Sequence, residues 1–321
     1  MVTYYRTVDN DLREENSLRK NCWISMINPT PGEILNISTE VGVAVEDLKA
    51  ALDEEERSRI EIEDDYALIL IDTPTVEEKD EEEDEDEEQD WYITIPMGII
   101  LLKDYIITVC LQDVPILSSF YECRVKRFNT GWRSRFILQI LLQNSSWFIH
   151  YLRLIDKESD KMEEKLGDGT MTNEELLQVM ALEKALVYFK TSLKGNESVI
   201  DRVIKIPNFE KFPEDEDLQE DVVIEHRQAV EMANIYSGVL DNLMSAFSSV
   251  VSNNQNQVMK ILAAVTIVLS IPTMVSSFYG MNLNPASMPL TDSPFGFLIL
   301  CIFSLVLSLL VTLILKLMNM F

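Results

Sequence analysis

Histidine and cysteine are scarce in this chain. Only two histidines, His150 and His226, occur among 321 residues, and the four cysteines include no C-x-x-C pair. Imidazole and thiolate groups are the usual ligands of structural zinc, and disulfide scaffolds need paired cysteines. The sequence therefore predicts neither a zinc site of that kind nor a disulfide-stabilised fold.

Positive charge is also in short supply. The chain has 27 Lys and Arg against 54 Asp and Glu, a formal net charge of −27, although 47% of its residues are apolar. Binding a polyanion takes a basic face, so we expect no nucleic acid partner, whereas the charge suits cations. The apolar fraction excludes disorder over the whole chain.

Recognisable catalytic motifs are missing. The sequence has no G-x-x-x-x-G-K-[ST] loop for ATP, no G-x-S-x-G nucleophile and no H-E-x-x-H pair. We therefore expect no enzyme, no ATP-driven pump and no organic cofactor.

Residues 1–128 have the pattern of a cytosolic α/β domain, because β-rich runs alternate with polar, helix-favouring stretches. A helix is predicted over Val41–Arg57. A hairpin is predicted where Lys103-Asp104 joins the last two of the three clearest strand runs, which are Ala67–Ile71, Trp91–Leu101 and Tyr105–Cys110.

A low-complexity acidic insert interrupts this domain. Twelve of the fourteen residues from Glu77 to Asp90 are Asp or Glu. Repulsion between like charges keeps such a block extended, so we interpret 77–90 as a disordered acidic loop.

Helical patterns dominate residues 129–257. Apolar residues recur at steps of three and four over Phe136–Ile155 and Leu176–Leu193, which predicts two amphipathic helices. A long stalk helix is predicted from about residue 215, because Leu218–Ile271 is 54 residues without proline. At ~1.5 Å per residue, it would extend about 80 Å and leave a globular domain.

Two C-terminal segments, 258–279 and 295–317, are long and apolar enough to cross a membrane, with 280–294 as the outer loop. Lys260 and Lys316 flank the spans on one side, whereas 280–294 has no Lys or Arg, and the N-terminus lacks an apolar signal region. These features predict an integral protein of the plasma (inner) membrane with both termini in the cytoplasm.

The first span carries a stripe of hydroxyl residues at steps of four, three and four. In lipid, a polar row must face protein or water, and one helix cannot enclose a pore. A ring of identical chains can, so we expect a homo-oligomer with this span innermost. The predicted pore-lining residues are Asn256, Met259, Leu262, Thr266, Ser270, Thr273 and Ser277.

The stripe ends at Tyr279-Gly280-Met281-Asn282, and here the sequence resembles the CorA family of two-span magnesium channels, which have a Gly-Met-Asn signature after the first span. Three further segments are similar to the family in the same order: Ile60–Tyr66, Leu186–Leu193 and Asn256–Leu262. The resemblance therefore covers nearly the full chain.

This resemblance implies a homopentameric funnel, formed by an α/β cytosolic domain, a long stalk helix and a two-helix C-terminal transmembrane hairpin. Gly280, Met281 and Asn282 would form a selectivity mouth, and Met259 with Leu262 a hydrophobic constriction. The family's function is passive, potential-driven Mg²⁺ flow, with Co²⁺ and Ni²⁺ as further candidate ions.

The resemblance also implies regulation by Mg²⁺. In the family, divalent cations bound between neighbouring cytosolic domains close the pore. Asp221 matches a regulatory carboxylate, with Asp64 or Asp65 as the opposing ligand.

Two alternatives stay open at this point. The zinc-transporting branch of the family shares the tripeptide, and the pore residues do not separate the two ions. A non-conducting acidic scaffold or cation buffer, anchored by the hairpin, would also fit the charge.

The outer loop departs from the family, because Met288-Pro289-Leu290 lacks the acidic residue that often follows Met-Pro.

Overall fold

A computed structural model describes residues 1–9, 11–77, 92–203, 205–206, 209, 215–281, 289–290 and 293–318. The chain divides into two compact units, Met1–Leu243 and Met244–Phe321. The predicted acidic loop, apart from Glu77, and the predicted mouth residue Asn282 lie outside the described residues.

The first unit is built on a seven-stranded sheet. The strands are β1 (Val2–Val8), β2 (Asp11–Glu15), β3 (Trp23–Ile27), β4 (Arg59–Ile62), β5 (Tyr66–Val76), β6 (Tyr92–Leu102) and β7 (Ile106–Cys110). Their order is β2-β1-β3-β7-β6-β5-β4, with all neighbours antiparallel except β3 and β7. The predicted mixed α/β character of this region agrees with the sheet.

The predicted hairpin is confirmed. Strands β6 and β7 pair antiparallel from Leu101↔Ile106 to Met97↔Cys110. The turn between them is closed by a hydrogen bond from Leu102 N to Tyr105 O at 3.0 Å. The longest pairing is β5 with β6, from Tyr66↔Leu102 to Val76↔Tyr92.

Helices cover both faces of the sheet. Along β5, Leu68 and Leu70 pack with α1 (Pro31–Val41) and α2 (Val45–Ala50). The alternate residues of the same strand pack with α3 (Pro115–Tyr121), α4 (Arg133–Gly167) and α5 (Asn173–Val203). This alternation follows from the two-residue period of a strand, so both faces of β5 are apolar.

The predicted helix over Val41–Arg57 is wrong. Helix α1 ends at Val41, where Gly42 takes a left-handed φ of 77°, and α2 has only six residues. Four consecutive acids follow at 53–56, and negative charge at a helix C-terminus opposes the helix dipole. The apolar spacing is present, but the helix that carries it is interrupted at Gly42 and ends after Ala50.

Helix α2 lies close to the sheet at Gly98. A Cβ atom at this position would stand 2.9 Å from the Cβ of Ala51, which follows α2. Only glycine leaves room for this approach.

Helices α4 and α5 carry the two predicted apolar stripes on their buried faces. Asn196 of α5 attaches its helix to the edge of β5, past the point where the pairing with β4 ends. Its side chain accepts from Asp72 N at 2.9 Å and donates to Asp72 O at 2.8 Å, as a neighbouring strand would.

Helix α6 (Glu216–Tyr279) has 64 residues and continues through Pro272, and the boundary between the two units falls within it. The second unit contains the end of α6 and α7 (Gly296–Leu317). Both helices include a window long and apolar enough to cross a membrane, and almost none of either window is buried.

Candidate functional site

All seven predicted pore-lining residues lie on the part of α6 in the second unit, and all seven are exposed in the single chain. The helix is unbroken from Asn256 to Ser277, so the steps of three and four keep these side chains on one face. The polar stripe is therefore present as the sequence spacing predicts, while its role in a pore stays a prediction.

Three of the four hydroxyl groups of the stripe donate their protons within the helix. Thr266 Oγ1 donates to Leu262 O at 2.8 Å, Ser270 Oγ to Ile267 O at 2.7 Å and Thr273 Oγ1 to Leu269 O at 3.2 Å. A hydroxyl that donates its only proton to the backbone keeps its lone pairs for accepting. These three oxygens can therefore accept hydrogen bonds from water on the exposed side.

The hydroxyl groups line one shallow groove along α6. Its walls contain Thr266, Leu269, Ser270, Thr273, Met274, Ser277 and Phe278. Three of these are large apolar side chains, so the acceptors form a narrow polar track bordered by apolar surface. Such a track can hold hydrated ions only where other protein closes the open side.

Apolar side chains interrupt the polar face below Thr266. Met259 and Leu262 are 57% and 58% exposed, and they stand between Asn256 and the first threonine of the stripe. A ring of such side chains from several chains would narrow a pore with groups that bind water poorly.

The end of α6 near Tyr279 makes contacts that the sequence did not predict. Tyr279 donates its phenol proton to Pro289 O at 2.9 Å. A Cβ atom on Gly296, the first residue of α7, would collide with Leu290 O. The chain at Leu290 therefore packs directly against the start of α7. The glycine at the first position of this helix is the sequence feature that could have indicated such a close approach.

Gly280 and Met281 follow α6 as a turn, with Gly280 N donating to Ser276 O at 2.9 Å. Asn282 is outside the described residues, so the geometry of the complete mouth stays a prediction.

The predicted regulatory acids lie in the first unit. Asp64 and Asp65 form the exposed turn between β4 and β5, and Asp221 is exposed on α6. Burial raises the pKa of Tyr66 to about 12, and its phenol donates to Asp47, which ties this turn to α2. No group of three or more His, Cys, Asp or Glu that could hold a metal occurs within the described residues of one chain.

A buried histidine joins three helices of the first unit. His226 of α6 is 4% exposed, and its Nε2 lies 2.9 Å from Leu193 O of α5. A carbonyl only accepts, so Nε2 carries the proton, and Nδ1 faces Ser145 Oγ of α4 at 3.3 Å. Burial lowers the pKa of His226, which keeps the ring neutral.

An α/β unit followed by two exposed apolar helices, the first with a row of acceptor oxygens, defines a two-span membrane protein of the transport class. The family model described as CorA-like Mg2+ transporter protein matches residues 19–317, so the chain belongs to the CorA family. This confirms the resemblance seen in the sequence.

Known relatives agree with this assignment. The chain is 28% identical over 283 residues to the cobalt/magnesium transport protein CorA of Methanocaldococcus jannaschii, covering 86% of this chain and 83% of the relative. It superimposes on the complete structure of the CorA magnesium transporter from that organism with a TM-score of 0.79 and 23% identity, covering 99% and 96% of the two chains. The predicted order of α/β domain, long helix and C-terminal apolar helices is thereby confirmed.

One further structural likeness is more distant. The cytoplasmic domain of ZntB from Vibrio parahaemolyticus superimposes with a TM-score of 0.52 and 12% identity, covering 79% of this chain and 96% of that domain. At this identity, the likeness concerns the fold alone.

Proposed function

We propose that copies of this chain assemble, as a pentamer, around a pore that carries hydrated Mg²⁺ passively across the membrane. The observation that carries this proposal is the hydroxyl stripe of α6, in which Thr266, Ser270 and Thr273 donate inward to the backbone and leave acceptor oxygens outside. One helix presents these oxygens on an open face. A closed ring of identical helices supplies the missing walls.

The chemistry of the stripe suits an ion that keeps its water. Mg²⁺ dehydrates reluctantly, and the protons of its bound waters need acceptors. Neutral hydroxyl oxygens accept hydrogen bonds from these waters, and they carry no charge that would hold the ion in place. At the outer mouth, the amide oxygen of Asn282 would act in the same way, with Gly280 allowing the chain to turn and Met281 between them.

Electrical driving force suffices for transport without ATP. Moving two positive charges through 100 mV, inside negative, is worth roughly 4.6 kcal/mol at ~2.3 kcal/mol per charge. Both termini lie on the cytoplasmic side in this proposal, so the acidic first unit faces the arriving cations. Met259 and Leu262 would close the pore by excluding water.

Cytosolic Mg²⁺ would regulate the pore by binding between neighbouring chains. Asp221 of one chain and Asp64 or Asp65 of the next are the proposed ligands, and all three are exposed in the single chain. Acidic neighbours repel one another, so a bridging divalent cation is needed to hold them close. Loss of that cation would loosen the ring and open the constriction.

Zinc transport is the second candidate, because the zinc-transporting branch of the family shares the Gly-Met-Asn tripeptide and the pore residues do not separate the two ions. The described residues contain no cluster of His and Cys that would favour zinc over magnesium. A non-conducting scaffold or cation buffer is the third candidate, and it predicts that pore substitutions have no effect on transport.

The test is ion uptake into proteoliposomes that contain a Mg²⁺-sensitive dye, under an inside-negative potential. Ser277→Ala removes a hydroxyl from the stripe, and Ser276→Ala removes the neighbouring one, which lies off the stripe and donates to Pro272 O. Asn282→Ala tests the mouth. Zn²⁺, Co²⁺ and Ni²⁺ are offered as competitors.

We expect potential-dependent Mg²⁺ uptake that Ser277→Ala and Asn282→Ala reduce or make unselective, while Ser276→Ala retains it. Uptake of Zn²⁺ without Mg²⁺ would favour the zinc candidate. Absence of any uptake from an assembled oligomer would contradict the channel proposal and support the scaffold. Equal effects of the two serine substitutions would contradict the assignment of the stripe to the pore wall.

A further inference from the structure

One segment of this acidic chain is strongly basic. Residues 122–135 contain five Lys and Arg and a single acid, Glu122, although the whole chain has a net charge of −27. The segment runs from the end of α3 into the first turn of α4 in the first unit. Its local charge is opposite to the field of the rest of the chain, so it needs an explanation of its own.

The basic segment lines a pocket of about 660 Å³ against β1 and β2. The pocket walls include Thr7 and Leu12 of the strands and Arg127, Phe128, Trp132 and Arg135 of the segment. This volume lies within the range of small-molecule sites, about 300–1,000 Å³, and the wall combines aromatic rings with a few polar groups, as such sites do.

The two arginines of this pocket differ in their surroundings. Arg135 donates from Nε to Asp215 Oδ1 at 2.6 Å, and both side chains are largely buried. Asp215 offsets the charge of Arg135 and holds its guanidinium in place. Arg127 is exposed, and none of the described residues forms an ion pair with it. Its charge is the one available to an anion.

Aromatic surface and an amide donor complete the wall. The guanidinium carbon of Arg135 lies 4.7 Å from the ring centroid of Trp132, which fixes the indole, and Trp132 is still 42% exposed. Asn129 Oδ1 accepts from Gly131 N at 2.8 Å, which leaves the amide NH₂ of Asn129 as a donor. An exposed indole in a pocket suits a planar ring, and Arg127 with Asn129 suits an anionic oxygen.

We propose that this pocket binds a nucleotide, with the phosphates at Arg127 and Asn129 and the base against Trp132. A free phosphate or a lipid headgroup would satisfy Arg127 but leave the exposed part of the Trp132 indole uncovered. The proposal concerns the first unit alone and does not rest on the transport function.

The chain supplies its own reporter for this site. Cys123 is an exposed thiol in the pocket wall, Cys22 and Cys110 are fully buried, and Cys301 is the other exposed thiol. In a Cys301→Ser background, a maleimide dye therefore reports on Cys123. The experiment measures the rate of labelling of the full-length protein in detergent, with EDTA present, at rising concentrations of ATP.

We expect ATP to slow the labelling saturably, and adenosine or inorganic phosphate to do so at least tenfold more weakly. Arg127→Ala should weaken protection by about tenfold or more, because a charged hydrogen bond is lost, without changing the labelling rate in the absence of ATP. Arg127→Lys should restore part of it. Arg57→Ala is the matched control, since Arg57 is exposed outside the pocket and should leave protection unchanged.

Three results would overturn the proposal. Millimolar ATP could leave the labelling rate unchanged, or inorganic phosphate could protect as well as ATP. Phosphatidylglycerol vesicles could protect where ATP does not, which would assign the pocket to a lipid headgroup instead.

Discussion

The buried ring of His226 should make the protein lose stability as the pH falls below neutrality. The perturbation is His226→Gln, which keeps an amide donor for Leu193 O and cannot be protonated. In the native protein, His226 Nε2 makes this hydrogen bond at 2.9 Å, and the ring is 4% exposed. The variant therefore removes the titration while retaining the principal contact.

The sign and size follow from proton linkage. Burial lowers the pKa of the folded ring below its ordinary value of 6.5, despite the opposing charges of Glu197 and Asp201. Below about pH 6.5, the unfolded chain binds a proton that the folded chain does not, so the free energy of unfolding falls with the pH. The loss is at most about 1.4 kcal/mol per pH unit, or about 3–5 °C in unfolding temperature for a domain of this size.

The assay is thermal unfolding of the full-length protein in detergent, followed by circular dichroism from about pH 7.5 to about pH 5.5. The unmodified chain should lose more stability over this range than His226→Gln, and carboxylate titrations common to both proteins cancel in the difference. His150→Gln is the matched control, because His150 is exposed. Parallel curves for the unmodified chain and His226→Gln, or an equal effect of His150→Gln, would refute the reasoning.

Three further substitutions test packing and the pore. Gly98→Ala should lower the free energy of unfolding by about 1–3 kcal/mol, because its Cβ would stand 2.9 Å from that of Ala51. Gly238→Ala should raise the free energy of unfolding by about 0.5–1 kcal/mol, because the added methyl in α6 meets nothing within 4 Å. Chemical or thermal unfolding measures both effects. A stabilising Gly98→Ala or a destabilising Gly238→Ala would contradict the packing described. Leu262→Ser should increase resting Mg²⁺ leak in proteoliposomes by wetting the constriction, whereas Ile261→Ser, exposed one position earlier and so on another face of α6, should not.

Local patterns were reliable where the structure depends on local geometry. The hydroxyl row of α6 could be placed on one face from spacing alone, because an α-helix repeats every 3.6 residues whatever surrounds it. The hairpin at Lys103-Asp104 was found for a similar reason, since two β-rich runs separated by a short turn pair with each other.

The same kind of reasoning failed over Val41–Arg57. Apolar spacing predicts a continuous helix there, but the backbone turns at Gly42 and the helix ends at Ala50. A pattern of side chains indicates which face is buried. It does not show where packing against the sheet requires the helix to end.

Contacts between residues far apart in the chain could not be predicted at all. The basic segment 122–135 becomes a pocket only because the sheet brings Thr7 and Leu12 beside it. The net charge of −27 gives no sign of this basic segment, because a sum over the chain does not say where the charges lie.

The two histidines show the division between sequence and structure. The sequence by itself determined the two apolar spans, the polar stripe and the family signature, because these depend on composition and on the period of a helix. It could not distinguish His226 from His150. Only the packing of α4 and α5 around α6 buries one ring and leaves the other exposed, and burial is the physical cause of the difference in their chemistry.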